Sequence, residues 1–129
     1  IVYNTTIKVE HQVHDEWLRW MKQVYIPAFM QTGKFIDQRM CRLLGVDETD
    51  GMTYSLQLTI PDKTSFNKFQ EEDAYRLQKI QIEKYQTQVL SFSTVMEKVW
   101  PLSNLAITSG YKGLPVSKVP FLAYFRFVK

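Results

Sequence analysis

The pattern of apolar and polar side chains predicts four strands, over residues 2–10, 35–44, 52–60 and 88–98. The third has the clearest pattern, because its even-numbered positions from 52 to 60 are Met, Tyr, Leu, Leu and Ile, and the positions between them are polar. A short loop rich in Gly and Asp separates the second strand from the third. That loop predicts that these two strands form a hairpin.

A period of 3.6 residues predicts a helical segment after the first strand and another after the third. In the first, one apolar stripe holds Trp17, Leu18, Met21, Val24, Tyr25 and Ala28. Pro27 should kink or restart this helix, and Gly33 should end it. In the second, the stripe holds Phe66, Phe69, Leu77 and Ile80. Asp73 falls on the same stripe, so we expect a break near Glu71–Asp73, with Asp73 capping a new helix.

The order strand, helix, strand, strand, helix, strand predicts an α+β, ferredoxin-like split βαβ fold. Its four-stranded antiparallel sheet should carry two helices on one face. We assign residues 1–99 to this domain and residues 100–129 to a C-terminal extension. Residues 121–128 of the extension are β-prone and apolar on both faces. Such a run predicts an extra strand that docks on the domain or on a partner subunit, because an exposed one would aggregate.

Composition and charge exclude several classes of protein. The 129 residues are 45% hydrophobic and 22% charged, as in folded domains. The single cysteine, Cys41, argues against a disulfide framework and favours a cytoplasmic location. No apolar run reaches the roughly 20 residues of a membrane span, and the polar N-terminal residues do not fit a signal peptide. Residues 1–99 hold 12 basic and 13 acidic side chains, so they lack the basic stripe that binds nucleic acid.

Alternation also predicts which side chains the helices cover. The apolar sets should face the helices, including Ile36 and Leu44 of the second strand and Leu90, Phe92 and Met96 of the fourth. The open face is then polar, and its candidate ligand-binding residues are Asn4, Arg39, Ser55, Gln57 and Ser91. Hydroxyls and amides around Arg39 would suit a small polar or anionic ligand. The alternative is a solvated face on which Arg39 pairs with Asp37.

Other candidate chemistry is weaker. His11 and His14 have the spacing of a metal-ligand pair, but no further His or Cys cluster completes a site, so we predict no metal. Cys41 has no histidine near it in the sequence and is interpreted as a structural thiol. No glycine-rich phosphate loop is present, and we expect no cofactor.

Several segments together resemble a known family. They are the N-terminal run IVYNTTIKVE, residues 14–21 (HDEWLRWM), Thr53–Gln57 (TYSLQ) and Glu72–Leu77 (EDAYRL). Over residues 1–99 they are similar to the bacterial family called domain of unknown function 4286. The resemblance implies a ferredoxin-like fold related to dimeric α/β-barrel proteins, in which two open sheet faces close on each other. It therefore implies a homodimer, and it carries no activity.

The expected function is that of a small cytoplasmic homodimer that binds a polar or anionic small molecule on its open sheet face, or that is purely structural. The alternative is a cofactor-independent monooxygenase-like enzyme of the dimeric α/β-barrel type, which should have a closed, largely apolar pocket. A third hypothesis is an interaction module whose C-terminal strand pairs with another protein.

Overall fold

One antiparallel sheet organises the computed structural model, which describes residues 1–101. Its strands lie in the order β2-β3-β1-β4, with β1 at Val2–Val9, β2 at Asp37–Arg42, β3 at Met52–Thr59 and β4 at Val89–Met96. The chain divides into a unit Ile1–Glu97, which holds this sheet, and a unit Lys98–Lys129. The predicted ferredoxin-like α+β fold is confirmed, and the predicted strand at 121–128 lies outside the described residues.

Each helical segment consists of two α-helices joined by one turn of π-helix. The first segment comprises α1 (His14–Trp20), a π turn (Met21–Tyr25) and α2 (Ile26–Gln31), and the second comprises α3 (Lys63–Phe69), a π turn (Gln70–Ala74) and α4 (Tyr75–Tyr85). Short 3₁₀ turns, His11–Val13 and Gln86–Gln88, precede α1 and β4. Pro27 lies in the first turn of α2, as expected for a restarted helix. No helix among the described residues is long and apolar enough to cross a membrane.

The expected break in the second helical segment is present, but Asp73 does not cap α4. The break is a π turn, and Asp73 lies inside it and accepts hydrogen bonds from Lys34 and Arg76. Lys34 Nζ also donates to Glu72 Oε2 at 2.7 Å. The Asp73 side chain is only 12% exposed. The carboxylate therefore ties α4 to the chain that enters β2, whereas a π turn, with no free helix end, gives it nothing to cap.

The core lies between the sheet and the helices. The register pairs Tyr3 with Leu58 and Ile7 with Tyr54, so these four side chains share the helix-facing side. Phe69 of α3 makes edge or tilted ring contacts with several other aromatic residues, including Tyr3. Gly51 lies against the main chain of β1, where a Cβ atom would lie 2.4 Å from the carbonyl oxygen of Val9.

The face predicted for β4 is wrong. In the register, Val89 is opposite Val9 and Ser91 is opposite Ile7, so odd-numbered residues of β4 face the helices. Leu90, Phe92 and Met96 point to the open face instead, and Phe92 is 65% exposed. Both alternating sets of this strand contain apolar residues, so alternation alone favours the larger set for the core. The smaller set in fact faces the helices, and of its members only Val89 is buried.

Four other positions predicted in the core are exposed. Val24 is one of them, because the π turn Met21–Tyr25 buries Met21 and Tyr25 instead. Ile36 and Leu44 lie just beyond the ends of β2, which is shorter than predicted. Ile80 is also exposed, because the buried face of α4 holds Leu77, Gln81 and Tyr85. The π turn contributes to this difference, since it adds a residue to one turn and rotates all later positions relative to a regular 3.6-residue period.

Candidate functional site

Four of the five predicted site residues lie together on the open face. Asn4 and Arg39 are both opposite Gln57 in the register, on the two sides of β3. Ser55 Oγ donates to Asn4 Oδ1 at 2.6 Å, and Arg39 Nη2 donates to Gln57 Oε1 at 3.3 Å. These polar groups are therefore partly satisfied by one another.

The fifth predicted residue, Ser91, lies on the opposite face, because the odd-numbered residues of β4 face the helices and not the open side. Gln81 Nε2 of α4 donates to Ser91 Oγ at 3.2 Å, on the helix-facing side. Ser91 is therefore separated by the sheet from the cluster around Arg39. On the open face, β4 therefore presents Leu90, Phe92 and Met96 instead of Ser91.

A cavity of about 220 Å³ lies on the helix-facing side, between the sheet and the helices. From the sheet it is lined by Tyr3, Thr5, Ile7, Leu56, Ser91 and Ser93, and also by Phe92, which belongs to the open-face set of the edge strand β4. From the helices it is lined by Tyr25, Phe29, Gln78, Gln81 and Ile82. Ile82 of α4 and Ser91, Phe92 and Ser93 of β4 are all exposed, so the cavity opens to solvent between α4 and β4.

Several polar groups of this cavity are paired with each other. Thr5 Oγ1 and Ser93 Oγ are 3.0 Å apart, and Gln78 Nε2 donates to the Tyr3 hydroxyl at 3.3 Å. The Tyr25 hydroxyl donates to the main-chain carbonyl of Leu77 at 2.9 Å. Burial raises the pKa of Tyr25 well above its usual range, and the nearby Tyr3 adds to that rise, so Tyr25 stays protonated at neutral pH.

Gln81 is the exception in this cavity. It is 5% exposed, and its Oε1 atom has no hydrogen-bond partner among the described residues. A buried amide oxygen without a partner costs about 1–3 kcal/mol. Natural proteins have few such atoms, so each one requires an explanation. Because the Oε1 atom is itself buried, a molecule in the cavity would contact it only after the side chain turned.

The remaining candidate groups have other partners. His11 Nε2 is 2.7 Å from the carbonyl oxygen of Glu48. His14 lies between Asp15 Oδ1, at 2.9 Å, and the Tyr54 hydroxyl, at 2.6 Å. Within residues 1–101, no group of three or more His, Cys, Asp or Glu side chains is arranged to hold a metal ion.

The sequence interpretation missed the helix-side cavity, although a signal was present. Ser91 and Ser93 occupy one phase of β4, and Gln81 lies four residues from Leu77 on the same side of a helix. The small side chains of Ser91 and Ser93 face the helices opposite Gln81 and leave space between α4 and β4. Leu90, Phe92 and Met96 are larger and more apolar, so the sequence favoured them for the helix-facing side of β4 instead.

The fold and the comparisons define a class of protein. The chain is similar to a dimeric ferredoxin-like protein from an uncultured marine organism, with a TM-score of 0.53, 13% identity, 78% of this chain covered and 96% of the other. For an Arabidopsis thaliana protein the TM-score is 0.54 and the identity 12%, with 78% and 100% covered. For a hydroxynitrile lyase from Passiflora edulis the values are 0.50 and 14%, with 78% and 97% covered. At these identities the likeness shows the ferredoxin-like fold.

The family follows from the sequence itself. The chain belongs to the family described as domain of unknown function (DUF4286), whose model matches residues 1–99. This confirms the resemblance found in the sequence. No curated protein matches the chain.

Proposed function

We propose that this protein is a homodimer that binds a small molecule in the helix-side cavity of each protomer. The observation that carries the proposal is the cavity of about 220 Å³ between the sheet and the helices. Ligand sites in proteins are typically concave, with polar groups converging among apolar walls, and this cavity is lined by five apolar residues, two tyrosines and five polar residues. On the open face, the polar groups bind one another.

The support for a homodimer comes from β4. Leu90, Phe92 and Met96 form an apolar row on the open face, and Leu90 is 58% exposed. Contiguous exposed apolar side chains mark interaction surfaces, and a second copy of the chain would cover this row. A ferredoxin-like neighbour of similar fold is described as dimeric. The free, exposed Cys41 supports a reducing, cytoplasmic environment.

The dimer is tested by sedimentation equilibrium of the full chain. Phe92→Glu places a charge in the proposed interface and should yield a monomer where the wild type is a dimer. Val95→Glu is the matched control, because Val95 is also exposed on β4 but faces the other side of the sheet. A monomeric wild type, or equal behaviour of the two variants, would contradict the proposed interface.

Ligand binding is tested by thermal unfolding with toluene as the probe. A molecule that binds only the folded state raises the unfolding temperature. Ser91→Phe should fill the cavity and abolish the rise, whereas Thr94→Phe adds the same ring on the opposite face of β4 and should retain it. No rise with the wild type, or no difference between the two variants, would disprove the cavity site.

Anion binding on the open face stays a separate prediction. Asn4, Arg39, Ser55 and Gln57 lie together there, and Arg39 is held through Gln57 rather than through Asp37 among the described residues. Titration with inorganic phosphate tests it. Arg39→Ala should remove phosphate binding, and equal binding by wild type and variant would exclude this site.

The alternative activity is that of a cofactor-independent monooxygenase. Tyr3, Tyr25 and Phe29 give the cavity aromatic walls, which would suit an aromatic substrate. Binding without chemistry is better supported, because the described lining holds no acid, histidine or lysine, and burial raises the pKa of Tyr25 and keeps its hydroxyl protonated at neutral pH. Incubation with phenol under oxygen separates the two functions, since an oxygenase would consume oxygen and leave an oxidised product.

A further inference from the structure

We propose that residues 121–128 form a fifth strand, which pairs with the outer edge of β4 in the same protomer and covers the mouth of the helix-side cavity. This proposal goes beyond the proposed function, because it assigns a docking surface to β4 and names the segment that occupies it. Three observations support it: the main-chain groups along the outer edge of β4, the apolar side chains on both sides of that edge, and the composition of the segment.

The outer edge of β4 has none of the usual features that prevent pairing with another strand. Within the part of the chain that the structure describes, β4 pairs only with β1. Its residues, Val89–Met96, include no charged residue and no proline, and all but Val89 are exposed. The strand at the other edge, β2, carries Asp37, Arg39 and Arg42 instead. Proteins use charges and prolines to keep edge strands from pairing, so β4 is the edge that can accept a strand.

The hydrogen-bond pattern shows which main-chain groups of β4 face outwards. The Glu10 amide donates to the carbonyl oxygen of Gln88 at 3.0 Å, so these two residues form a hydrogen-bonded pair at the end of the ladder between β1 and β4. Such pairs alternate along antiparallel strands, so the even-numbered residues of β4 bond to β1. The amides of Ser91, Ser93 and Val95 therefore point away from β1, and we call them the outward amides. None of them has a hydrogen-bond partner among the described residues.

The side chains next to this edge are apolar on both sides of the sheet. On the open face, Leu90, Phe92 and Met96 are exposed. On the helix-facing side, Val95 of β4 and Ile82 of α4 are exposed, and Ile82 lines the cavity. A segment that pairs here should therefore have apolar side chains at both its odd-numbered and its even-numbered positions, because these point to opposite faces of the sheet.

Residues 121–128 have that composition. Their sequence is FLAYFRFV, so the odd-numbered positions are Phe, Ala, Phe and Phe, and the even-numbered positions are Leu, Tyr, Arg and Val. A strand with one solvated side normally alternates apolar and polar residues, so this segment is suited to a place that is apolar on both sides. Its aromatic residues also favour the extended conformation. The segment is as long as β4, which has eight residues.

The chain between β4 and the segment is long enough for this pairing. Residues 97–120 connect the two. β4 spans about 27 Å, at about 3.4 Å for each of its eight residues. The connection covers that distance without being fully extended, since each residue adds up to about 3.3–3.6 Å. It also raises the effective concentration of the segment at its own β4, which favours this segment over that of a second copy.

The position of the edge links the segment to the cavity, which opens to solvent between α4 and β4. A strand paired with β4 lies about 4.8 Å beyond it, so it would extend the sheet across that opening. Its helix-facing side chains would lie next to Ser91 and Ser93, on the side of Ile82. We therefore expect the segment to slow the exit of a molecule that is bound in the cavity.

Amide hydrogen exchange of the full chain, followed by NMR, tests the pairing without any ligand. The outward amides should exchange about 100-fold more slowly than unprotected amides, because a fifth strand would accept their hydrogen bonds. The amides of Phe92 and Thr94, the inward amides, bond to β1 and should exchange slowly in any case, so they are the internal control. Fast exchange of the outward amides beside slow exchange of the inward amides would overturn the proposal.

Two pairs of proline substitutions identify the occupant of the edge. Tyr124→Pro combined with Phe125→Pro removes two neighbouring amides, one of which faces β4 in any register. This variant should return the outward amides to fast exchange and leave the inward amides protected. The control, Leu105→Pro combined with Ala106→Pro, lies outside the segment and should keep the outward amides slow. Equal exchange in the two variants, whether slow or fast, would show that residues 121–128 do not specifically cover β4.

Dilution shows which copy supplies the segment. Protection of the outward amides should stay constant as the protein concentration falls, because the segment and β4 belong to one chain. Protection that is lost on dilution would assign the added strand to a second copy and contradict the proposal. None of these measurements uses toluene, so a failure of the proposed ligand site and a failure of this pairing give separate results.

Discussion

The two faces of the sheet use their side chains in opposite ways. On the helix-facing side, large aromatic and aliphatic residues are buried next to a cavity whose polar groups are mostly paired with one another. On the open face, the polar groups of three strands bind one another, and the fourth strand presents an exposed apolar row. The comparison teaches that the face whose polar residues are easiest to predict need not be the face with a cavity. A cavity forms where side chains do not fill the available space, and the small side chains of Ser91 and Ser93 leave such a space on the helix-facing side.

The largest expected effect comes from neighbouring residues on the two faces of β3. Leu58 is fully buried against the helices, whereas Thr59 faces the open side. Leu58→Ala should lower the free energy of unfolding by about 2–5 kcal/mol, because it removes buried methyl groups and leaves a cavity. Thr59→Ala should change it by no more than about 0.5 kcal/mol. Urea unfolding measures both, and similar costs would contradict the assignment of the faces.

The next effect concerns the close approach of β1 to the hairpin loop. Gly51→Ala would place a Cβ atom 2.4 Å from the Val9 carbonyl oxygen at a positive φ of 155°. We expect it to cost about 1–3 kcal/mol of unfolding free energy, as strained backbone positions do. Gly45→Ala is the control, since Gly45 also has positive φ but no atom within 4 Å of its Cβ position. Equal losses for the two variants would show that the contact with Val9 does not matter.

A smaller, pH-dependent effect is expected at Asp73. Burial opposes ionisation there, but hydrogen bonds from Lys34 and Arg76 outweigh it and lower the pKa of Asp73 below its ordinary value of 3.8. A lowered pKa in the folded state stabilises the protein fully above pH 3.8, and this contribution declines as the pH falls below that value. Asp73→Asn should therefore lower the urea midpoint at pH 7 and reduce the further loss on acidification.

Asp50→Asn serves as the control for that experiment, because Asp50 is an exposed carboxylate of the hairpin loop. It should leave both the midpoint at pH 7 and its acid dependence close to those of the wild type. If Asp73→Asn behaves in the same way, the bridge from Lys34 to the π turn contributes nothing to stability.

The fold was predictable because its elements carry strong periodic patterns. In β1 and in β3, the larger apolar residues fall mainly on one side of the strand. Alternation therefore predicts both strands and the side of each that faces the helices. In β4, both the odd-numbered and the even-numbered positions include apolar residues. The sequence therefore predicts the strand, but it does not predict which of its two sides faces the helices. The orientation of Ser91 depends on which phase the helices cover, and only the three-dimensional packing settles this.

The candidate site was less predictable than the fold. The cluster of Asn4, Arg39, Ser55 and Gln57 follows from alternation on β1 to β3, and the structure brings these four residues together. The cavity depends on the rotation of α4 relative to the sheet. That rotation includes the π turn at Gln70–Ala74, which has no distinct sequence signal beyond the polar Asp73 on an apolar stripe.

The most direct test of the contrast between the faces is a map of backbone amide NMR shifts on addition of toluene to the full chain. We predict that the shifts concentrate at Gln81, Ser91 and Ser93, and that residues such as Ser55 and Gln57 on the open face change little. Shifts concentrated on the open face instead, or no saturable shifts at all, would contradict a ligand site between the sheet and the helices.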